Sequence, residues 1–433
     1  MASTKHFIND PTHLVLTALH SLTLTNPSLS VDLDNKTVFR TSTDPSTVSL
    51  ISGGGSGHEP AFSSFVGKGL LTAAVAGTIF ASPSAEQIRN AILHRVGGGR
   101  RAGVLVVVMN YTGDILNFGM GVEKARAQGM HVEMVVVADD AGVGRAKGGK
   151  VGRRGIAGTC LVLKIAGALA EGGASLKDCA RVARLVADNI VSVGSSLSHV
   201  HVPGRSGAVE DEMAQDEIEI GMGIHNEPGS ERAKASLPEL VKKMLAQMLD
   251  PRDKDRNFLN VSNEDKTVLL VNNLGGVSVL ELGGITNEVV RQLKDTYGIE
   301  PVRILAGTYM TSLNGMGFSI SLLKLQDTEL GHGKSMLELL DSPAEANGWS
   351  AAVQTGTWEA KSTPSAPKEI STQEEEAKPT NLRSKFHNLG LRNCADVSGS
   401  RLRLRAEGFR DCTEATHRRR TRHYELRHNC RRR

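Results

Sequence analysis

Val104-Leu-Val-Val-Val-Met-Asn-Tyr-Thr-Gly-Asp114 is the stretch that decides the fold. The run Val104–Val108 is apolar without alternation and rich in β-branched residues, and it ends at Met109-Asn110. Such a run suits a strand buried on both faces, the pattern of a parallel sheet covered by helices. Two more runs behave alike: Val132–Ala138 stops at Asp139-Asp140, and Thr267–Val271 stops at Asn272-Asn273. Helical patterns lie between them. Ser84-x-x-Gln87 is a capping box ahead of Ile88, Ile92 and Val96. Pro238–Leu249 sets Leu240, Val241, Met244, Leu245, Met248 and Leu249 on one stripe opposite Lys242 and Lys243. Thr286–Tyr297 is closed by Gly298. Strand, helix, strand at this spacing predicts an α/β architecture with largely parallel sheets.

The polar, turn-rich segment Val202-Pro-Gly-Arg-Ser-Gly-Ala-Val-Glu-Asp-Glu212 divides the body. A first α/β domain is expected over 1–195 and a second over 196–340, with a flexible linker over 341–380 that is rich in Ser, Thr, Pro, Ala and Glu. A basic tail of low order follows over 381–433. It carries most of the basic excess behind the net charge of +4, and the body without it is net acidic, so nucleic-acid binding is not inferred. An arm for RNA or membrane would need an organised aromatic platform that the tail lacks. The expectation is a disordered tail, of the kind a shifted or mis-spliced frame produces.

Of 433 residues, 39% are hydrophobic and 23% charged, which excludes a wholly disordered chain. Glycine, at 46 residues against 14 prolines, points to tight turns and to backbone kept bare for close approach. The five cysteines form no CxxC pair, which argues against a disulfide framework and fits a reducing compartment. The N-terminus has no apolar signal core. The longest apolar run, Ile156–Ala170, contains Lys164, is too short for a bilayer, and reads as a buried helix. The expectation is a soluble, cytoplasmic protein without membrane partners.

Three motifs carry candidate chemistry. Gly53-Gly-Gly-Ser-Gly-His58-Glu-Pro60 follows a strand-like run, and its amides can converge on an oxygen-rich ligand with His58 in reach. It is neither a dinucleotide fingerprint nor a Walker A loop; the plain alternative is a glycine-rich βα turn. Asn110-Tyr-Thr-Gly-Asp114 follows its strand at the carboxyl edge, where ligands bind in parallel sheets. Asp114 there can accept a substrate hydroxyl's hydrogen bond or proton; alternatively it caps a helix over 115–127. Glu219-Ile-Gly-Met-Gly-Ile-His225-Asn-Glu-Pro-Gly229 sets an imidazole among turn residues, able to act as acid, base, ligand or nucleophile, although a lone histidine is commonly structural. His199 and His201 have no cysteine partners or HExxH pattern, so a zinc site is not assigned.

Together GGGSGHEP, NYTGD-x-x-NFG, GRRGIAGT and GxGIHxEPG closely resemble the substrate-binding half of dihydroxyacetone (glycerone) kinases, over about residues 1–340. The resemblance implies a transferase of glycerol metabolism that phosphorylates dihydroxyacetone, and glyceraldehyde beside it, from ATP and Mg2+, working as a homodimer. It implies that His225 forms a covalent hemiaminal with the ketone carbon, with His58 and Asp114 as the acid/base pair. Gly55, Ser56, Gly57, His58, Met109 and Asp114 would bind substrate. A tether through a carbonyl selects short keto- and aldo-sugars over glycerol, which hydrogen bonds alone separate poorly.

Two departures from the family matter. Many relatives carry lysine where this chain has Met109, and methionine cannot donate to a substrate oxygen. The family's ATP-using members also join this half to a helical domain whose aspartates hold Mg2+ around the phosphates, and no such cluster follows residue 340. The chain alone is therefore expected to bind dihydroxyacetone but to phosphorylate it poorly. The alternative function is a triose-binding subunit or sensor served by a separate phosphoryl donor.

Overall fold

The apolar runs that predict strands do form them, and each sheet takes its helices from the amphipathic segments between. The computed structural model describes residues 5–96, 101–205, 213–214, 216–350, 353 and 355–360. In chain order the elements are α1 Pro11–Thr25, β1 Leu29–Asp32, β2 Thr37–Arg40, β3 Ser49–Ser56, β4 Ala73–Ile79, α2 Ala85–His94, β5 Val104–Met109, α3 Thr112–Arg126, β6 Val132–Val137, α4 Arg145–Gly148, α5 Thr159–Glu171 and α6 Leu176–Asp188. They continue with β7 Ile190–Ser196, β8 Ile218–Ile220, β9 Glu231–Ala233, α7 Leu237–Leu249, β10 Thr267–Asn273, α8 Val279–Tyr297, β11 Arg303–Gly307, β12 Gly317–Lys324, α9 Met336–Asp341 and α10 Thr355–Glu359.

The first sheet has the order β1-β2-β4-β3-β5-β6 and is parallel from β4 to β6. All of β5 is buried. Val104, Val106 and Val108 pack with Ile88 and Ile92 of α2 and with Phe118 and Val122 of α3. Leu105, Val107 and Met109 face the opposite side, toward Leu161 and Ile165 of α5 and Val182 of α6. The doubly buried strand is thus the direct consequence of a run with no polar alternation.

The second sheet has the order β11-β10-β12-β7-β8-β9. The expectation of largely parallel pairing describes the first sheet. In the second, only β10 and β11 run parallel; β12, β7, β8 and β9 each pair antiparallel with the preceding strand in that order. Single apolar runs such as Thr267–Val271 report burial on two faces, which a helix-covered mixed sheet provides equally well. Helices α7 and α8 cover one face of it, with Met244, Leu245, Val289 and Leu293 against Leu269 and Val271.

Between the sheets lies the run expected to be a buried helix. In α5 every residue from Thr159 to Ala170 is buried, and its core takes Leu50 and Val107 from the first sheet and Val268, Leu270 and Leu323 from the second. Lys164, inside it, is satisfied by the Leu339 carbonyl at 2.9 Å. All described residues fall within one compact unit, Met1–Ser362. Among them, no helix is long and apolar enough to cross a membrane.

Three boundaries differ from the sequence pattern. α3 begins at Thr112, three residues before Ile115, so Asp114 sits in its first turn and Tyr111, without a side-chain cap, stands at the N-cap. α8 begins at Val279 behind the Ser278 cap, its early turns hidden in sequence by Gly283-Gly284. The segment 341–380, expected to link, starts in packed structure: Ala346 and Trp349 are buried, and Trp349 meets Phe65 and Tyr309 edge-on. One large aromatic anchors a stretch whose composition otherwise reads as flexible. The remainder of that segment from 361, and the basic tail over 381–433, lie outside the described residues.

Close approach makes two helix glycines opposite in character. A Cβ on Gly167 in α5 would lie 2.4 Å from the Leu70 carbonyl oxygen, a backbone atom that cannot turn aside. Gly284 in α8 is exposed, with nothing within 4 Å of that position. In urea unfolding of the full chain, Gly167→Ala should therefore cost about 1–3 kcal/mol, whereas Gly284→Ala should add up to about 1 kcal/mol.

Candidate functional site

Because β4, β3, β5 and β6 run parallel, their C-terminal ends open on one edge of the first sheet. His58 follows β3, Phe80 and Ser82 follow β4, Tyr111 and Asp114 follow β5, and Asp139-Asp140 follow β6. The second sheet contributes the loop after β8, with His225 and Glu227, and the connection from β11 to β12, with Thr311.

His58 is wholly buried. Its Nδ1 lies 2.8 Å from the Thr311 carbonyl oxygen and its Nε2 lies 2.9 Å from Nε2 of His225. His225 Nδ1 lies 3.0 Å from Glu227 Oε1, and the His225 backbone N–H donates to Glu227 Oε2 at 2.9 Å. These partners assign the protons. A carbonyl only accepts, so His58 Nδ1 carries hydrogen. Burial, then the charge of His225, pushes the His58 pKa down to about 3, leaving its Nε2 a bare lone pair. Burial works to raise Glu227, but its bonds to His225 and the charges of His225 and Arg154 prevail and hold it at about 2. An ionised Glu227 draws hydrogen onto His225 Nδ1. The short contact between the two Nε2 atoms then requires one further proton, which sits on His225 and points at His58. On this assignment hydrogen covers the Nε2 lone pair of His225.

Aromatic rings wall this pair. Phe80 stacks on His58 at 5.3 Å and meets His225 edge-on at 5.3 Å. Tyr111 meets His225 edge-on at 4.6 Å. The loop that carries His225 turns at Asn226, in the left-handed region at φ 64°, and Asn226 is fastened to the Val200 backbone by two 2.9 Å bonds.

Asp114 is buried, and its Oδ1 has no hydrogen-bond partner among the described residues. Burial raises its pKa to about 6, against the opposing pull of a Ser82 hydrogen bond and of His225. A buried carboxylate oxygen without a partner, close enough to His225 to feel its charge, can receive a hydroxyl.

The structure thus brings His58, Asp114 and His225 together. Gly55 and Ser56 end β3, and the Ser56 hydroxyl donates to the Gly77 carbonyl at 3.0 Å. The Gly57 N–H is taken by Glu59 Oε2 at 2.9 Å, and its Cα faces Phe80, whose ring a Cβ would strike at 2.7 Å. Bare backbone here serves internal packing around Phe80. Met109 is buried in the core against Gly155, so its side chain belongs to the sheet's packed face. His199 pairs with Glu219 at 2.8 Å, and His201 with His6 at 3.0 Å. Among the described residues no group of three or more His, Cys, Asp or Glu could hold a metal ion. Glu227, Tyr111, Phe80 and Thr311 are site residues that the motifs did not single out. Glu227 had a signal, a carboxylate two residues beyond the histidine; Thr311 lies 253 positions from His58 and had none.

The Dak1 domain model matches residues 20–348. Dihydroxyacetone kinase 1 of Saccharomyces cerevisiae is 48% identical over 363 residues, which are 81% of this chain and 61% of the yeast protein. The crystal structure of the dihydroxyacetone kinase from C. freundii in complex with AMP-PNP and Mg2+ superposes with a TM-score of 0.71 at 36% identity, covering 81% of this chain and 62% of that one. The dihydroxyacetone kinase operon co-activator Dha-DhaQ superposes with a TM-score of 0.70 at 31% identity, over 78% of this chain and 98% of its own length. The chain therefore spans about three-fifths of the kinases and nearly all of the co-activator. With three-quarters of its residues inside the matched domain, the chain belongs to the Dak1 domain family.

Proposed function

We propose that the chain captures dihydroxyacetone as a covalent hemiaminal on His225 Nε2 and serves as the substrate-holding part of a dihydroxyacetone kinase. The observation that carries this is the 2.9 Å contact between the Nε2 atoms of His225 and His58. The proton covering the nucleophile already points at a base. It passes to His58, and the freed lone pair of His225 forms a bond to the ketone carbon as the C=O π pair moves onto oxygen. His58 then returns the proton to that oxygen. Charge balances: the adduct keeps the positive charge on an alkylated imidazolium whose Nδ1–H is held by the Glu227 carboxylate.

Glycerol has no carbonyl for this bond, and glyceraldehyde has one, so the site takes short keto- and aldo-trioses. The tether fixes a terminal hydroxyl for attack on phosphorus, and Asp114, with its unfilled oxygen, accepts that hydroxyl's proton. ATP and Mg2+ belong to parts of the kinase beyond the described residues, and a cytoplasmic homodimer is the assembly we assign. In the same way 1–195 and 196–340 are proposed as the two α/β halves, the first holding the whole first sheet and also, at its end, most of β7, which pairs into the second sheet.

A second reading, a triose-binding sensor, is favoured by the co-activator matched over 98% of its length. A coupled assay separates the two when the chain is supplied with ATP, Mg2+ and the nucleotide-binding part of a dihydroxyacetone kinase: triose phosphate that forms only with the chain present would defeat the sensor reading, and none would defeat the substrate-holding one.

Native mass spectrometry should show one triose added to the parent chain and none to His225→Ala, whose affinity for dihydroxyacetone should fall at least tenfold, about 1.4 kcal/mol. Equal retention by the two proteins would end the covalent reading. Asp114 gives a pH-dependent test. An acid raised from 3.8 to about 6 binds more protons folded than unfolded, so its cost grows as pH rises through that window and is complete above it. Asp114→Asn should accordingly stabilise the chain by up to about 3 kcal/mol at neutral pH, and the gain should vanish near pH 4 in thermal unfolding followed across that range.

A further inference from the structure

The motif Gly152-Arg-Arg-Gly155 and the pair Asp139-Asp140 take no part in the chemistry above, yet Arg154 of the one and Asp140 of the other lead to Glu227, the partner of His225. Asp140 is fully buried. Its Oδ2 accepts from Arg154 Nε at 2.8 Å and lies 2.7 Å from Nη2, while Oδ1 accepts the Gly142 N–H at 2.8 Å. Arg154 Nη2 also donates to the Gly221 carbonyl at 2.7 Å. Three of the guanidinium's bonding directions are thereby spent, and its plane is fixed. The remaining nitrogen, Nη1, arrives at Gly223: a Cβ there would lie 2.6 Å from Nη1 and 2.0 Å from Glu227 Oε2. Cation and carboxylate share the volume that one methyl group would fill. Glu227, in turn, holds both the backbone N–H and Nδ1 of His225.

We infer that Arg154, locked in place by Asp140, is a positioning residue that aims the Glu227 carboxylate and through it presents Nε2 of His225 to the substrate. This inference rests on the hemiaminal reading and adds to it the device that keeps the nucleophile in register. A guanidinium is suited to the task because its planar fork holds the Asp140 carboxylate and the Gly221 carbonyl at once and still sets its remaining charged nitrogen toward Glu227, which a lysine ammonium cannot do. Orientation matters because a ring flip would offer Nδ1 and bury Nε2, and positioning losses of that kind are large. The ionisable groups around His225 are His58 past the end of β3, Tyr111 and Asp114 at the start of α3, and Glu227 on its own loop, with Arg154 acting on Glu227 and Asp140 bonded to Arg154.

The test uses the full chain with histidine labelled by nitrogen-15, dihydroxyacetone as the ligand, and two variants. Arg154→Met combined with Asp140→Asn removes both charges, leaves no buried ion unpaired, and keeps an acceptor for Gly142. Gly223→Ala leaves both charges and inserts a methyl group between Nη1 and Glu227. Each should weaken dihydroxyacetone binding at least tenfold, and each should remove the carboxylate-bonded Nδ1–H resonance of His225 that the parent shows. Arg154→Lys should restore neither. A double variant that binds as the parent does, with the Nδ1–H resonance intact, would overturn the inference and leave Arg154 a loop clasp. If the double variant does not fold, Gly223→Ala decides in the same terms. Absence of any adduct in the parent would instead strike the hemiaminal reading, while the resonance would still report on Arg154.

Discussion

One proton between two imidazoles is the constraint on which the site is built. His58 and His225 come from different sheets, and the 2.9 Å separation of their Nε2 atoms is tolerable only with hydrogen between them. Each far nitrogen is therefore committed. Thr311 fixes the tautomer of His58 from one side, and Glu227 fixes His225 from the other. Burial keeps His58 uncharged with its Nε2 free to accept, and Glu227 stays ionised beside His225. The nucleophile we propose is in this way stored with its lone pair covered and its proton acceptor already in contact.

Bringing these groups together is the work of the whole fold. The parallel strands of the first sheet deliver His58, Phe80, Tyr111 and Asp114 to one edge, each just past a strand end. The second sheet must then present the loop of His225 and the Thr311 turn to that same edge. The fully buried α5 makes this possible, since its core receives side chains from both sheets at once. Gly167, where α5 touches the Leu70 backbone, marks how little slack that packing has.

Much of this was legible in the residues, and the failures have physical causes. The strands β5, β6 and β10 follow from apolar runs, and the caps at Ser84 and Gln87 from local hydrogen bonding that needs no distant partner. The three reactive side chains stand out because glycine and turn residues surround them. Strand direction in the second sheet was not legible, because burial on two faces leaves the same imprint on a parallel and an antiparallel strand. Neither was the reason for the bare backbone at Gly57. A glycine that spares a ligand and one that spares the ring of Phe80 look alike until the ring is in place. Met109 likewise sits beside the motif in sequence, but the pleat turns it toward α5.

The same geometry bears on why one domain can serve both a kinase and a regulator. In the hemiaminal we propose, carbon takes the place of hydrogen on His225 Nε2, so the bond that joins His58 to His225 cannot persist there in its present form. That bond joins residues delivered by the two sheets, and each ring is held from behind, His58 by the Thr311 carbonyl and His225 by Glu227. Noncovalent binding of a three-carbon sugar offers few atoms with which to bias a structure. A covalent bond that must break an existing contact between sheets couples occupancy to structure at fixed stoichiometry, and it does so whether the next event is phosphoryl transfer or recognition of the occupied domain by another protein.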